Sequence, residues 1–319
     1  ADGPRPLYRE GYMPTQLNLL TGDYGTEAEL STAIASIYNS GIAGHSAKAI
    51  ADIVINHRCG STTWSDFTNP TMGIDTINEY YRAITWGDNA FTNDTSPQYN
   101  LAGEKRGWGD TGTDFESARD LDHTKVTVQN DIVEWMNTKL KSVGFKGWRY
   151  DFVKGFDGKY VGYYNSKTSP DFSVGELWED GTPQTGLDNW VSATANGGTK
   201  SMVFDFDTKA KLNSAFGWYK TDDTTTYYNL YPALNILKSG YGTPAGYIGW
   251  HPENAVTFVD NHDTGSTQQH WKLRDDKVYL AYVYTLTHPG LPCVAWDHYF
   301  DSGASQKPHI KELINIRKT

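Results

Sequence analysis

Asp151, Glu176 and Asp263 each close a short, largely apolar run: Gly-Trp-Arg-Tyr-Asp-Phe (147–152), Ser-Val-Gly-Glu-Leu-Trp (173–178) and Phe-Val-Asp-Asn-His-Asp (258–263). Runs of this length and composition read as buried strands that break into polar loops. In a chain that alternates strands with helices, residues just past the strand ends gather at one mouth of the sheet, where such folds do their chemistry. An ionised carboxylate beside a protonated carboxyl can cleave a glycosidic bond. The first attacks or stabilises the developing sugar cation, and the second hands a proton to the leaving oxygen. Any one of these acids alone would more readily cap a helix or brace a loop. Three in the same strand-then-acid setting point to a site.

The elements that must position them follow a regular order. Apolar spacing predicts helices over 27–39, 126–140 (stopping at Gly144), 157–165, 208–218, 275–287 and 307–317. Short apolar runs predict strands over 48–56, 147–152, 172–177, 201–206, 255–260 and 292–296. This alternation argues for a parallel sheet with crossover helices. The stretch 57–123 is different, being rich in Gly, Asn, Asp and Thr with poor apolar periodicity. So long an irregular segment is uncommon in a compact domain unless it is functional or held by something else. A metal ion is one such holder: Asp88, Asn93, Asp94, Asp110, Asp114, Asp120 and Asp122 offer the oxygen donors that Ca²⁺ takes. The same residues equally suit ordinary solvated turns.

Bulk composition narrows the partners. With 28 basic against 38 acidic side chains the 319-residue chain carries a formal charge of −10, which argues against nucleic acid. No apolar stretch is long enough to span a membrane. The opening Ala1-Asp2-Gly3-Pro4 lacks the basic and apolar regions of a secretion signal. Cys59 and Cys293 fit no metal-ligand spacing and read as two free thiols, with a disulfide between them as the alternative. Most of the 11 Trp and 21 Tyr belong in a core. Tyr12, Trp86, Trp108, Trp178 and Trp250 instead stand beside polar loop residues, where flat rings suit the faces of sugars.

Asp-Ile-Val-Ile-Asn-His (52–57), Gly-Trp-Arg-Tyr-Asp-Phe-Val-Lys-Gly (147–155), Val-Gly-Glu-Leu-Trp (174–178) and Phe-Val-Asp-Asn-His-Asp (258–263) together resemble the α-amylase family of glycoside hydrolases, in order and in spacing. Ala-Arg-Asp-Leu-Asp-His (118–123) resembles the motif closing that family's protruding loop domain, and Gly-Tyr-Met-Pro (11–14) is most similar to plant-type amylases and their bacterial relatives. The resemblance implies an α/β fold, a (β/α)8 TIM barrel with a long Ca²⁺-binding loop domain after its third strand. Residues 1–56 would form the first part of the barrel, 57–123 the loop domain and 124–319 the remainder. With only ten residues before Gly11, the barrel is expected to lack its first two strands, and the family's C-terminal β domain is expected to be absent.

The implied activity is retaining endo-hydrolysis of α-1,4-glucosidic bonds in starch and maltooligosaccharides. The alternatives are a truncated relative that only binds glucan and a transglycosylase of the same family. By motif, Asp151 would be the nucleophile, Glu176 the general acid and base, and Asp263 the carboxylate that grips sugar hydroxyls. Tyr12, His57, Arg149, Lys154, Trp178 and His262 would bind substrate. Asn56, Asp94, Asp114, Asp120 and the Gly155 carbonyl would bind Ca²⁺, and the family implies a secreted, extracellular protein.

The residues support part of this by themselves. Arg149 and Asp151 are two apart on a strand and leave it on one face, so the guanidinium would keep Asp151 ionised. Val174, Leu177 and Trp178 would desolvate Glu176 and favour its protonated form. Asp52, pointing into a barrel, needs a cationic or donor partner. Bracing Arg149 and touching sugar are equally good readings for it.

Overall fold

The strand Gly147–Tyr150 is buried along its whole length, as a strand covered on both faces must be. The computed structural model describes residues 11–14, 17, 19–41, 46–58, 71–72, 84–85, 90–92, 109–115, 118–178, 183–222, 225–229, 233–265, 268–301 and 306–319. These divide into two compact units, 1–176 with 192–201, and 177–191 with 202–319.

In the first unit Gly147–Tyr150 pairs in parallel with Ile50–Ile53 on one side and Phe172–Gly175 on the other. The register sets Asp52 opposite Arg149, so acid and base leave neighbouring strands at one level. Gly147 is required by close approach, since a Cβ there would lie 2.5 Å from the Phe172 carbonyl oxygen. Helix α1 (Glu27–Asn39) starts at a capping box in which Thr26 and Glu29 satisfy each other's backbone N–H groups. Helix α2 (Val126–Trp135) runs on into a π-helical turn, Met136–Leu140, so the predicted helix 126–140 changes winding halfway. Helix α3 (Gly158–Thr168) is capped by Asp157. Its Asn165 sits between Tyr150 Oη, 3.0 Å away, and Ser173 Oγ, 2.9 Å away. That buried bridge ties the helix to both strands.

In the second unit Ala255–Phe258 lies between Met202–Phe204 and Leu291–Cys293, all parallel. Helices α5 (Phe206–Phe216), α6 (Val278–Thr287) and α7 (Gln306–Arg317) follow these strands. Trp218–Asp222, Thr225–Asn229 and Lys272–Leu273 form a separate antiparallel sheet. Helix α4 (Gln184–Gly197) is divided between the units. No helix among the described residues is long and apolar enough to cross a membrane.

Most of 57–123, including Asp88, Asn93, Asp94, Trp86, Trp108 and Cys59, lies outside the described residues. Its two ends meet: His57–Arg58 pairs antiparallel with Arg119–Asp120.

Candidate active site

Asp151 and Glu176 sit immediately beyond their strands, and backbone hydrogen bonds lock both positions. The Asp151 N–H donates to the Ile53 carbonyl at 3.0 Å, and the Glu176 N–H to the Tyr150 carbonyl at 2.9 Å. The next residue, Phe152, is left-handed, with φ 46° and ψ 47°. A non-glycine side chain rarely adopts that conformation, and when it does the site is commonly functional. Here the reversal lets the Phe152 N–H reach Glu176 Oε2 at 3.4 Å and the Val153 N–H reach the Glu176 carbonyl at 3.2 Å. Glu176 is thus held by the turn of backbone that follows Asp151.

Arg149 gathers the carboxylates. One terminal nitrogen binds Asp151 and, at 2.7 Å, Asp52, while the other lies 2.8 Å from Glu176 Oε1. Burial opposes the guanidinium charge, but Glu176, Asp52 and Asp151 outweigh it and raise the Arg149 pKa well above its ordinary value. The sequence placed Arg149 beside Asp151; its bond to Glu176, 27 positions away, is not a matter of strand spacing. Asp52 also accepts the Tyr12 hydroxyl at 2.8 Å, and both burial and that carboxylate push the Tyr12 pKa far up. Tyr12 is therefore anchored on the same cluster.

His57 is buried and stacks on Phe115 with ring centroids 3.8 Å apart. Its Nε2 lies 2.9 Å from the Tyr12 carbonyl oxygen and its Nδ1 3.2 Å from Asn56 Nδ2. These contacts tie His57 to the backbone of Tyr12. Lys154 carries its Nζ 5.0 Å from the centre of the Phe152 ring. In the second unit Asp263 receives Gln268 Nε2 at 2.6 Å on one oxygen and has His262 Nε2 3.3 Å from the other. Trp178 stacks on Phe206 at 5.4 Å. Gln268 stood out by no motif or spacing.

A second cluster lies in the first unit. Ligand atoms of Asp110, Asp114 and Asp120 come within 4.8 Å of one another, a group able to hold a metal ion. Asn56 Nδ2 donates to Asp120 Oδ1 at 2.7 Å, which fixes the amide orientation and leaves Asn56 Oδ1 buried with no hydrogen-bond partner. Asp110 Oδ2 is orphaned in the same way. Gly155 closes the other side: a Cβ there would lie 2.0 Å from Asn56 Oδ1. Gly155→Ala should accordingly lower the unfolding free energy by roughly 1–3 kcal/mol, and an unchanged urea midpoint would contradict this packing. Of the expected metal ligands, Asn56, Asp114, Asp120 and Gly155 come together, and Asp94 lies outside the described residues. Asp110, counted only among the acids of the segment, joins them.

The family model for the α-amylase catalytic domain matches residues 5–296. The chain is 36% identical to a protein named probable alpha-amylase 2 of Arabidopsis thaliana, over 98% of this chain and 70% of that one. It is 34% identical to the chloroplastic alpha-amylase 3 of the same plant, over 97% of this chain and 34% of the relative. Among solved structures, that of CldA, a cyclomaltodextrin glucanotransferase, superposes with a TM-score of 0.66 at 17% identity, covering 97% of this chain and 62% of that one. Such a low identity speaks for the fold alone. Domain match and plant relatives show that this chain belongs to the α-amylase catalytic-domain family of glycoside hydrolases, whose fold is the TIM barrel.

Proposed function

We propose that this protein cleaves internal α-1,4-glucosidic bonds of starch-like glucans with retention of configuration. The observation that carries the proposal is the sharing of one guanidinium by Asp151 and Glu176. Two carboxyls held on one planar cation favour the close separation of about 5–5.5 Å used by retaining enzymes over the ~6.5–9.5 Å of inverting ones.

Asp151 attacks the anomeric carbon while the bond to the leaving oxygen breaks and Glu176 delivers its proton to that oxygen. The product is a glycosyl ester on Asp151 and a shortened glucan with a free hydroxyl. Glu176, now a carboxylate, takes a proton from water, whose oxygen attacks the same carbon and releases Asp151. Arg149 faces three carboxyl groups, so a proton kept within the cluster relieves like-charge repulsion. Arg149 and Tyr12 keep the acids aimed between turnovers, and Lys154 and Trp178 are assigned to the glucan by motif. Asp263 and His262 are assigned to the sugar hydroxyls on the same ground.

Asn56, Asp110, Asp114, Asp120 and the Gly155 carbonyl would hold Ca²⁺, since an all-oxygen set with two buried orphan oxygens suits a hard cation. The ion would supply structural cross-linking: it would neutralise the acids and pin the 153–155 turn next to Asp151. At a Ca²⁺ concentration a thousandfold above Kd, binding adds about 4 kcal/mol of stability. Chelation should therefore lower the calorimetric Tm by roughly 10 °C, and Asp110→Asn should shrink that difference. Equal transitions with and without chelator would remove the metal from this reading. One plant relative is named chloroplastic, which favours an organellar glucan as substrate.

The activity test is product analysis from soluble starch with Ca²⁺ present. Long α-configured oligosaccharides appearing early mark a retaining endo-hydrolase. Glucan binding without bond cleavage would leave a carbohydrate-binding relative, and products longer than the substrate would mark a transglycosylase.

A further inference from the structure

Asp260 stands three residues before Asp263 in the same run, yet it is buried and points to different partners. It meets Lys209 of α5, whose Nζ lies 2.5 Å from Asp260 Oδ1 and 2.9 Å from Asn213 Oδ1. The side chains of the pair are 0% and 1% exposed. Burying two charges costs several kcal/mol per ion unless geometry and further hydrogen bonds compensate, so the partners matter.

Asp260 is where residues 261–265 and 268–273 are drawn together. Thr264 Oγ1 donates to Asp260 Oδ1 at 3.2 Å, and the Leu273 N–H lies 3.3 Å from each Asp260 oxygen. Lys209's other partner reaches the same segment, with Asn213 Nδ2 donating to the Trp271 carbonyl at 3.0 Å. His298 Nε2 approaches Asp260 Oδ2 at 3.6 Å from the far side. Gly265 leaves no slack, since a Cβ there would lie 2.9 Å from Asp260 Cβ.

Within these contacts the backbone on both sides of Asp263 is hydrogen-bonded. Asn261 Oδ1 accepts the N–H groups of Asp263 and Thr264 at 3.1 and 2.8 Å, and Thr264 Oγ1 accepts the Asn261 N–H at 3.0 Å. The Asp263 carbonyl accepts the His270 N–H at 3.0 Å, and the Thr264 carbonyl accepts that of Trp271 at 3.2 Å. The same closure carries Gln268, which donates to the Asp263 carboxylate. Thr264 thus belongs at once to the turn holding Asp263 and to the buried carboxylate held by Lys209.

We propose that Lys209 and Asp260 are a positioning pair for the glucan reaction: by holding residues 261–265 and 268–273 onto α5 they fix the aim of the Asp263 carboxylate. The inference rests on the reading of Asp263 as a substrate-gripping carboxylate. A pair that only stabilised the fold would leave turnover untouched in any variant that remains folded. A positioning pair makes turnover fall even then, because a displacement of about 1 Å at a transition-state contact costs on the order of 100-fold.

The test compares Asp260→Asn, Thr264→Val, Asp263→Asn and the Asp260→Asn/Asp263→Asn double variant. Thr264→Val removes the link from Asp260 to the Asp263 turn, together with the Asn261 N–H bond, without leaving a charge unpaired, so wild-type kcat in it overturns the pair's role even should Asp260→Asn not fold. Kinetics on a maltooligosaccharide are measured well below each variant's unfolding midpoint, with the affinity of a cationic iminosugar as a transition-state-like probe. The expected result is a kcat roughly 10- to 100-fold lower for Asp260→Asn and Thr264→Val, with KM changed by a small factor and iminosugar binding weakened in parallel. In the Asp263→Asn background Asp260→Asn should then cost little more, because coupled residues are non-additive. Wild-type kcat in folded Asp260→Asn or Thr264→Val, or full multiplication of the two losses, overturns the pair's role. Full activity in Asp263→Asn overturns instead the reading of Asp263 itself, and the pair's role with it.

Discussion

Glu176→Gln is expected to slow reducing-end release from soluble starch by about 100- to 10,000-fold, the range of a lost general acid. That corresponds to roughly 3–5 kcal/mol of activation free energy. The amide keeps the volume of the buried side chain, and its single oxygen can keep the closer bond, that from Arg149, at the expense of the long one from the Phe152 N–H. The larger loss is the ionisable proton. The defect should therefore depend on the leaving group. An aryl maltooside with an acidic phenol needs little protonation, and its first step should survive in the variant far better than starch cleavage does. Asp151→Asn should abolish both reactions, because no ester forms with either substrate. An equal loss on starch and aryl maltooside in Glu176→Gln would deny Glu176 the acid role.

Acid should destabilise the first unit well before ordinary carboxylate titration. His123 is buried, with Nε2 2.9 Å from the Ile55 carbonyl oxygen and Nδ1 2.7 Å from Tyr164 Oη. Nε2 must be the N–H donor to that carbonyl, and Nδ1 the acceptor from the phenol, so the neutral ring is fully satisfied. His57 has the same arrangement with the Tyr12 carbonyl and the Asn56 amide. Burial pushes each imidazole down to about 4 from the ordinary 6.5. Between those values the unfolded chain binds a proton that the folded chain refuses. The stabilising contribution is thus complete above about pH 6.5 and is lost as pH falls towards 4, at about 1.4 kcal/mol per pH unit for each ring. Each histidine would account for roughly 3 kcal/mol over the whole window.

Asp205 in the second unit titrates with the opposite sign. Burial raises it to about 6 despite hydrogen bonds from Thr208 and Ile248, so its contribution is present below 3.8 and lost as pH rises through 6. Urea denaturation near pH 7 and near pH 5, with limited proteolysis to identify the opened segment, should show the first unit yielding first at the lower pH. A His123→Gln variant with an unaltered pH slope would exclude this origin.

Six parallel strand positions were legible because buried strands in an α/β sheet are short apolar runs between polar turns, and three of them fall in each unit. Their ends were less legible. The predicted strand 48–56 is realised only as Ile50–Ile53, since the chain leaves the sheet at Val54 and enters the His57–Arg58 ladder. Helix α4 went unread even though Leu187, Trp190, Val191 and Thr194 are buried at helical spacing. Gly186 and the Asn and Thr residues around them give its surface the composition of a loop. The Trp218–Asn229 hairpin was missed as well, its strands being mostly polar. At the site, motif order singled out Asp151, Glu176 and Asp263, but nothing local separated Asp263 from Asp260. One is partly exposed beside Gln268 and the other buried against Lys209, a partner 51 positions away.

The left-handed turn at Phe152 bears on how this protein could be engineered. A search for stabilising replacements would nominate glycine there, since relieving a left-handed side chain is worth roughly 1–2 kcal/mol. The ring it would delete meets Phe115 edge-on at 5.1 Å and the His57 imidazole at 6.3 Å. Glycine would thus exchange a strained wall for a relaxed gap and convert the bend between the two acids into a hinge. A thermostability screen scored on melting alone would reward that hinge or ignore it; one scored on turnover would reject it.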